Sequence, residues 1–193
     1  MARPRKFDEN EVLDRALSVF WEKGYHATSY EDLVERMGIN RASMYNTFGD
    51  KHQLFTLALQ RYRQKSQENF AHWKDDHRTI QETIRMILDE AVQESLTDPQ
   101  RKGCMVVNAT TELGNCDQDL AAIVRENQTQ VESILTKLFE AAQKKDEISS
   151  DLNPQALARF YYNTFSGLRV MARANPDAET YQDVVDVALQ VIS

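Results

Sequence analysis

Ile39-Asn40-Arg41-Ala42-Ser43-Met44-Tyr45-Asn46-Thr47-Phe48 reads as a short helix with an unusual outer face. Asn40 is the expected cap, and the small residues Ala42 and Ser43 follow at the second and third helical positions. Arg41, Ser43, Tyr45, Asn46 and Thr47 offer hydrogen-bond donors where a core-facing helix of this length would spare few positions. A helix that reads DNA needs such donors near its start for base edges and further along for phosphates. This one is short enough to lie in a major groove. Upstream, Gly38 closes a helix of about nine residues whose buried stripe is Leu33, Val34 and Met37. Two starts are legal for it: Thr28 with Glu31, or Ser29 with Asp32. Before that, Asp8 caps a first helix, Glu11 can close a capping box and Phe7 can staple onto Val12. Val12, Leu13, Ala16, Leu17 and Phe20 give this helix one apolar face, and Gly24 stops it. Three short helices with glycine turns also occur in proteins that never touch DNA, so the donor-rich face carries the nucleic-acid reading. Arg3, Arg5 and Lys6 form a basic arm that can reach phosphates or a minor groove, and the same composition also describes a solvated tail.

Residues 8–55 resemble the DNA-binding domain of the tetracycline-repressor (TetR) family of bacterial regulators. The likeness is carried by the Ala16 to Phe20 face, Gly24-Tyr25, Thr28, Leu33-Val34 and Met37-Gly38-Ile39. Above all it is carried by Ser43-Met44-Tyr45-Asn46-Thr47-Phe48-Gly49-Asp50-Lys51, followed by Leu54-Phe55. The resemblance implies that the second and third helices form a helix-turn-helix, that Tyr45 and Lys51 contact phosphates, and that the protein works as a homodimer. Arg41 is the expected base contact. Thr47 is assigned to the DNA backbone, Asn46 to either role, and Thr28, Ala42 and Ser43 complete the expected interface. Asn46 stands where members commonly have His, a departure that bears on operator preference.

Charge divides unevenly along the 193 residues. Residues 1–55 hold 8 Lys/Arg against 9 Asp/Glu, net −1, leaving −6 of the total −7 for the remainder. Local potential governs DNA contact, so the arm, Arg41 and Lys51 still suffice for a binding face, with modest salt-sensitive nonspecific affinity. The N-terminus is polar, and no apolar run approaches 18 residues, so a cytoplasmic chain with no membrane association is expected. Cys104 and Cys116 are too few for a disulfide scaffold and lack metal-site spacing with the four histidines. No phosphate-binding glycine loop, metalloprotease motif or serine–histidine signature is present, so neither an enzyme nor a cofactor or metal is expected.

The expected architecture is all-α: a helix-turn-helix domain over residues 1–50 and a helical regulatory and dimerization domain over residues 51–193. Asp50 with Gln53 starts a fourth helix, Thr79 with Glu82 a fifth, and Asp98-Pro99 makes an exposed loop. Gly103 to Gly114 is the least polar segment, and its β-branched run is read as a buried helix because no partner strand is evident. Asp117 starts a long helix to about Lys144, Asn153-Pro154 another to about Arg173, and Asn175-Pro176 a last one. Pairing of the helices over 117–144 and 154–173 across a two-fold axis would bury their surplus apolar face. The small pair Ser166-Gly167 would permit close approach there, although an intrachain contact would demand the same smallness.

A small-molecule inducer that releases a palindromic DNA operator follows from the family resemblance alone. Met105, Asn108, Thr111, Glu112, Tyr161, Tyr162 and Phe165 are the expected cavity lining. The polar members have a plainer reading, as bonds between helices. Cys104, at a helix start near Arg101 and Lys102, is an alternative redox or electrophile sensor, with Cys116 as a second thiol. That reading rests on a weaker resemblance to a subgroup of the family, and a buried thiol would be inert. The non-DNA alternative is a helical protein-interaction module.

Overall fold

Asp8 opens the first helix by accepting backbone N–H bonds from Asn10 and Glu11 at 2.8 and 3.3 Å. The computed structural model describes residues 7–70, 73, 77–114, 117–174 and 177–193. The arm of Arg3, Arg5 and Lys6, the thiol of Cys116 and the Asn175-Pro176 helix start lie outside the described residues. Within them the helices are α1 (Glu9–Lys23), α2 (Tyr30–Met37), α3 (Arg41–Phe48), α4 (Lys51–Phe70), α5 (Ile80–Thr97), α6 (Met105–Leu113), α7 (Gln118–Lys144), α8 (Pro154–Ala174) and α9 (Ala178–Leu189). A 3-10 turn, Gln190–Ile192, follows α9.

Local chemistry accounts for the boundaries. Of the two legal starts for α2, the chain uses Ser29 with Asp32 in a reciprocal capping box. Thr28 is instead buried, with its hydroxyl donating to the Gly24 carbonyl at 2.5 Å. Glu11 pairs with Arg15 one turn on, at 2.5 Å. Asn40 caps α3 through the Ser43 N–H, Asp50 and Gln53 cap each other at the start of α4, and Thr79 with Glu82 boxes α5. The Gly103 to Gly114 segment is helical, as expected, and carries buried Met105, Val106, Ala109 and Leu113.

Two apolar cores result. One joins the stripes of α1, α2 and α3 to Leu54, Phe55, Ala58 and Leu59 of α4, then continues into Met105, Val106 and Ala109 of α6 and Leu120 of α7. The other fills the space among α5, α7, α8 and α9 around Phe139, Tyr161 and Tyr181. The head core therefore does not stop at residue 50; α6 is its far wall. The long helix α7 packs chiefly on α8 of its own chain. Among the described residues, Tyr45, Leu57 and Leu96 are exposed singly on other helices, while Phe160 and Val170 on α8 and Val187 and Val191 at the end of the chain are exposed on the last two helices. A long polar-backed helix looks equally free from sequence whether it covers a neighbour or a second copy.

The Lys23 ammonium, 2.6 Å from Asp32, and the Ser29 N–H and hydroxyl hold the Asp32 carboxyl down at about 2. A depressed carboxyl stabilises the fold above its unfolded value of 3.8, and that contribution fades as pH falls toward about 2. A carbon-detected NMR titration should find the Asp32 midpoint well below that of a free aspartate, and Lys23→Met should move it back up. Ser29→Ala should cost about 1 kcal/mol through the lost cap, read as a lower urea midpoint.

Candidate functional site

On the outer face of the head, Arg41, Ala42, Tyr45 and Asn46 are exposed, while Ser43 and Thr47 are half-buried between them. Met44 and Phe48 point inward, which turns the polar face of α3 out. Lys51, at the start of α4, extends this surface and lies 4.6 Å from the Tyr25 ring. Arg41, Ser43, Tyr45, Asn46, Thr47 and Lys51 are thus gathered on one side. Thr28 is buried, and its hydroxyl donates to the Gly24 carbonyl at 2.5 Å.

One neighbour on this face had no signal in the sequence. Tyr30, the first residue of α2, stacks on Tyr45 with centroids 5.5 Å apart and planes 27° apart. The Arg41 guanidinium lies over Tyr30 at 4.4 Å and near Tyr45 at 5.8 Å. Hydrogen bonding with the Tyr30 hydroxyl, then with Arg41, holds Tyr45 below the usual phenol range, while the bond to Tyr45 and then burial push Tyr30 above it. The free protein therefore keeps its base-reading candidate folded against two aromatic rings.

Behind the head, a cavity of about 350 Å³ opens between α1, α4, α5, α6, α7 and α8. Of the seven residues named from sequence for a ligand cavity, Tyr162 and Phe165 line this one and the other five do not. Met105 is buried in the head core, and Tyr161 is buried beside Phe139 with its hydroxyl donating to the Ala188 carbonyl at 2.8 Å. The Asn108 amide donates to the Lys102 carbonyl at 2.8 Å, and exposed Thr111 donates to the Asn108 carbonyl at 2.9 Å. The Glu112 carboxylate accepts the backbone N–H groups of Tyr25 and His26 at 2.9 and 2.6 Å. The reason is the rotation of α6: Met105, Ala109 and Glu112 form the stripe that meets the head. Cys104 and Val107 reach the cavity instead.

The missed wall is aromatic. Leu17 and Trp21 come from α1, Tyr62 and Phe70 from α4, and Trp73 lies beyond it. Trp21 meets Tyr62 edge to face at 5.1 Å, and its Nε1 donates to the Gly103 carbonyl at 2.9 Å. Burial pushes the Tyr62 phenol well up, with the Cys104 thiol as its hydrogen-bonding neighbour. Cys104 is half-buried and starts α6 without capping it. Among the described residues no helix is long and apolar enough to cross a membrane.

Two family models match the chain. Residues 12–58 match bacterial regulatory proteins of the tetR family, and residues 80–188 match the tetracyclin repressor-like C-terminal domain. The chain is 34% identical over its full length, and the full length of the relative, to the uncharacterized HTH-type transcriptional regulator YezE of Bacillus subtilis (strain 168). Its identity to the HTH-type transcriptional repressor ComR of Escherichia coli (strain K12) is 25%, covering 98% of this chain and 90% of that one. Among solved structures, a cysteine mutant of the TetR family regulator CifR, complexed with 26bp double-strand operator DNA, superposes with a TM-score of 0.87 at 27% identity over 100% of both chains.

Glu112→Ala should lower the unfolding free energy by about 2 kcal/mol, since two backbone donors lose a charged acceptor in a half-buried place. Glu112→Gln, which keeps one acceptor oxygen, should recover part of it. Urea unfolding followed by tryptophan fluorescence reads both, and a midpoint unmoved by the alanine would remove the clamp.

Proposed function

The chain belongs to the tetR family of bacterial regulatory proteins, and from that premise we propose that this DNA-binding transcriptional regulator is a repressor, released from its operator by a small organic effector bound in the 350 Å³ cavity. The observation that carries the reading is the donor-rich outer face of α3. Residues 1–50 serve as the DNA-reading unit and residues 51–193 as the regulatory one. Arg41 swings off Tyr30 to meet a base edge, Tyr45, Thr47 and Lys51 hold the phosphates, and Asn46 serves either role. Two heads on a two-fold axis would read a palindromic site, as half-site spacing in dimeric helix-turn-helix proteins requires.

The homodimer in this reading forms through the apolar face of α8 and α9, where Phe160, Val170, Val187 and Val191 are exposed. Gly167 belongs to the same surface. A Cβ placed on it meets nothing within 4 Å, so its smallness serves no contact inside the protomer.

Effector action follows from where the cavity sits. Its wall includes Leu17 and Trp21 of the head and Cys104, Val106 and Val107 of α6. An occupant that prefers a different spacing of α1 and α6 shifts the population toward heads set wrongly for the operator; equal affinity for both states would shift nothing.

In binding titrations against cognate and scrambled duplexes, Arg41→Ala should lose roughly tenfold in discrimination between sequences. Lys51→Ala should weaken all duplexes alike. A wild-type protein that prefers no duplex sequence would end the reading. Gly167→Trp should sediment as a folded monomer with reduced operator affinity, because two half-sites no longer bind as one unit; a persisting dimer would place the interface elsewhere.

A further inference from the structure

Among the described residues, the buried side-chain nitrogens without a hydrogen-bond partner are Arg63 Nε, Trp73 Nε1 and Arg169 Nε. Two of these three belong to residues that wall the cavity, Trp73 and Arg169. A buried N–H left without an acceptor is costly, and native folds keep few of them. Their clustering around one hollow points to acceptors brought by an occupant. Arg169 is itself only 9% exposed and is held in place from two sides. Its Nη2 pairs with Glu94 at 2.5 Å, and its guanidinium lies 5.2 Å from the Phe165 ring.

Charge narrows the class further. The cations on the wall are Lys65 and Arg169, and each already holds a carboxylate, Asp14 at 2.8 Å and Glu94 at 2.5 Å. An anionic occupant would meet cations whose charge is already matched, next to the carboxylates of Glu90 and Glu94. A cationic one would bring donors to donors, and the wall carboxylates are engaged already, Glu94 with Arg169 and Glu90 with a partner of its own. Either charge would be desolvated without a free counter-charge, a large penalty. The remaining wall is mainly aromatic and aliphatic: Trp21, Tyr62, Phe70, Val106, Val131 and Phe165.

We propose that the effector is an uncharged, aromatic carbonyl compound whose oxygen accepts a hydrogen bond from Arg169 Nε or Trp73 Nε1 while its rings pack among the aromatic side chains. The proposal rests on the reading of this cavity as the effector site. A site that supplies donors rejects analogues lacking the acceptor more sharply than it rejects a change in apolar size.

Four compounds on one skeleton test it: benzophenone, diphenylmethane, diphenylacetate and benzhydrylamine, titrated calorimetrically into the full-length protein. Both tryptophans of the chain line the cavity, so their fluorescence reports occupancy independently. Benzophenone should bind about tenfold more tightly than diphenylmethane. It should also bind more tightly than the acid or the amine. Trp73→Phe and Arg169→Lys each remove one unpartnered donor; at least one should shrink the ratio of ketone to diphenylmethane affinity toward one. Thermal melts by circular dichroism verify that each variant is folded, and Trp73→Phe carries the test if Arg169→Lys is not. Equal binding of ketone and hydrocarbon, tighter binding of the acid or the amine, no binding of any of the four, or an undiminished preference in the folded variants would each overturn the proposal. Operator affinity is measured in parallel by gel shift. Ketone-selective binding that leaves operator affinity unchanged would uphold the ligand class and overturn the effector role.

Discussion

The carboxylate of Glu112 is the joint on which the rest of the molecule depends. Helix α1 ends at Gly24, whose φ of +81° turns the chain sharply, and the N–H groups of Tyr25 and His26 that follow have lost their place in the helix. Those donors need acceptors, and α6 supplies both oxygens from one side chain. The fit is close: a Cβ at position 24 would come within 2.7 Å of Glu112 Oε2. Trp21 makes the second attachment through Gly103, and His52 the third through Asp117 at 2.5 Å. Because α2 packs on α1, and α3 packs on α2 and α4 within the same core, fixing α6 against the end of α1 also fixes the recognition face.

That face works with little net charge. The residues up to 55 sum to −1, so attraction to DNA depends on a few cations being placed together. Arg41 is kept available without being left loose: an exposed cation over two aromatic rings is held weakly, and a bidentate contact to a base is the stronger interaction. The two tyrosines are therefore a resting place for the side chain, and Tyr45 is at once part of that rest and a phosphate-binding candidate. The acidity of the chain lies mainly beyond residue 55, where negative charge would be repelled by the phosphates of a duplex.

Helix existence and the outer face of α3 were legible because caps and apolar stripes are local. Asp8, Asn40, Asp50, Thr79, Asp117 and Asn153 all act within three residues of themselves. The cavity was not legible, because its wall draws on six helices and depends on how α6 is rotated. Periodicity marks α6 as buried nearly all round and says nothing about which side is hollow. Glu112 is separated from Tyr25 and His26 by 87 and 86 positions. A single carboxylate in an apolar helix therefore read equally as a ligand contact or as a bond between helices, and it is a backbone acceptor for Tyr25 and His26. Tyr30 was missed for a related reason: its stacking partner is on another helix, and no spacing rule links them.

The same joint explains how an occupant of the cavity would reach the DNA-reading face. Coupling between distant sites is often ascribed to long chains of contacts, which need their own evidence. Here the distance is short. Leu17 and Trp21 belong both to the helix that carries the head core and to the cavity wall, and Cys104 and Val107 belong to the helix that Glu112 attaches to the head. A ligand between them touches both sides of the joint, so any misfit in the spacing of α1 and α6 is felt as a difference in its own binding energy. That difference is the quantity a population shift requires. An effector in this arrangement would act as a wedge in the joint, and the aromatic wall that bound it would be the surface that transmits its effect.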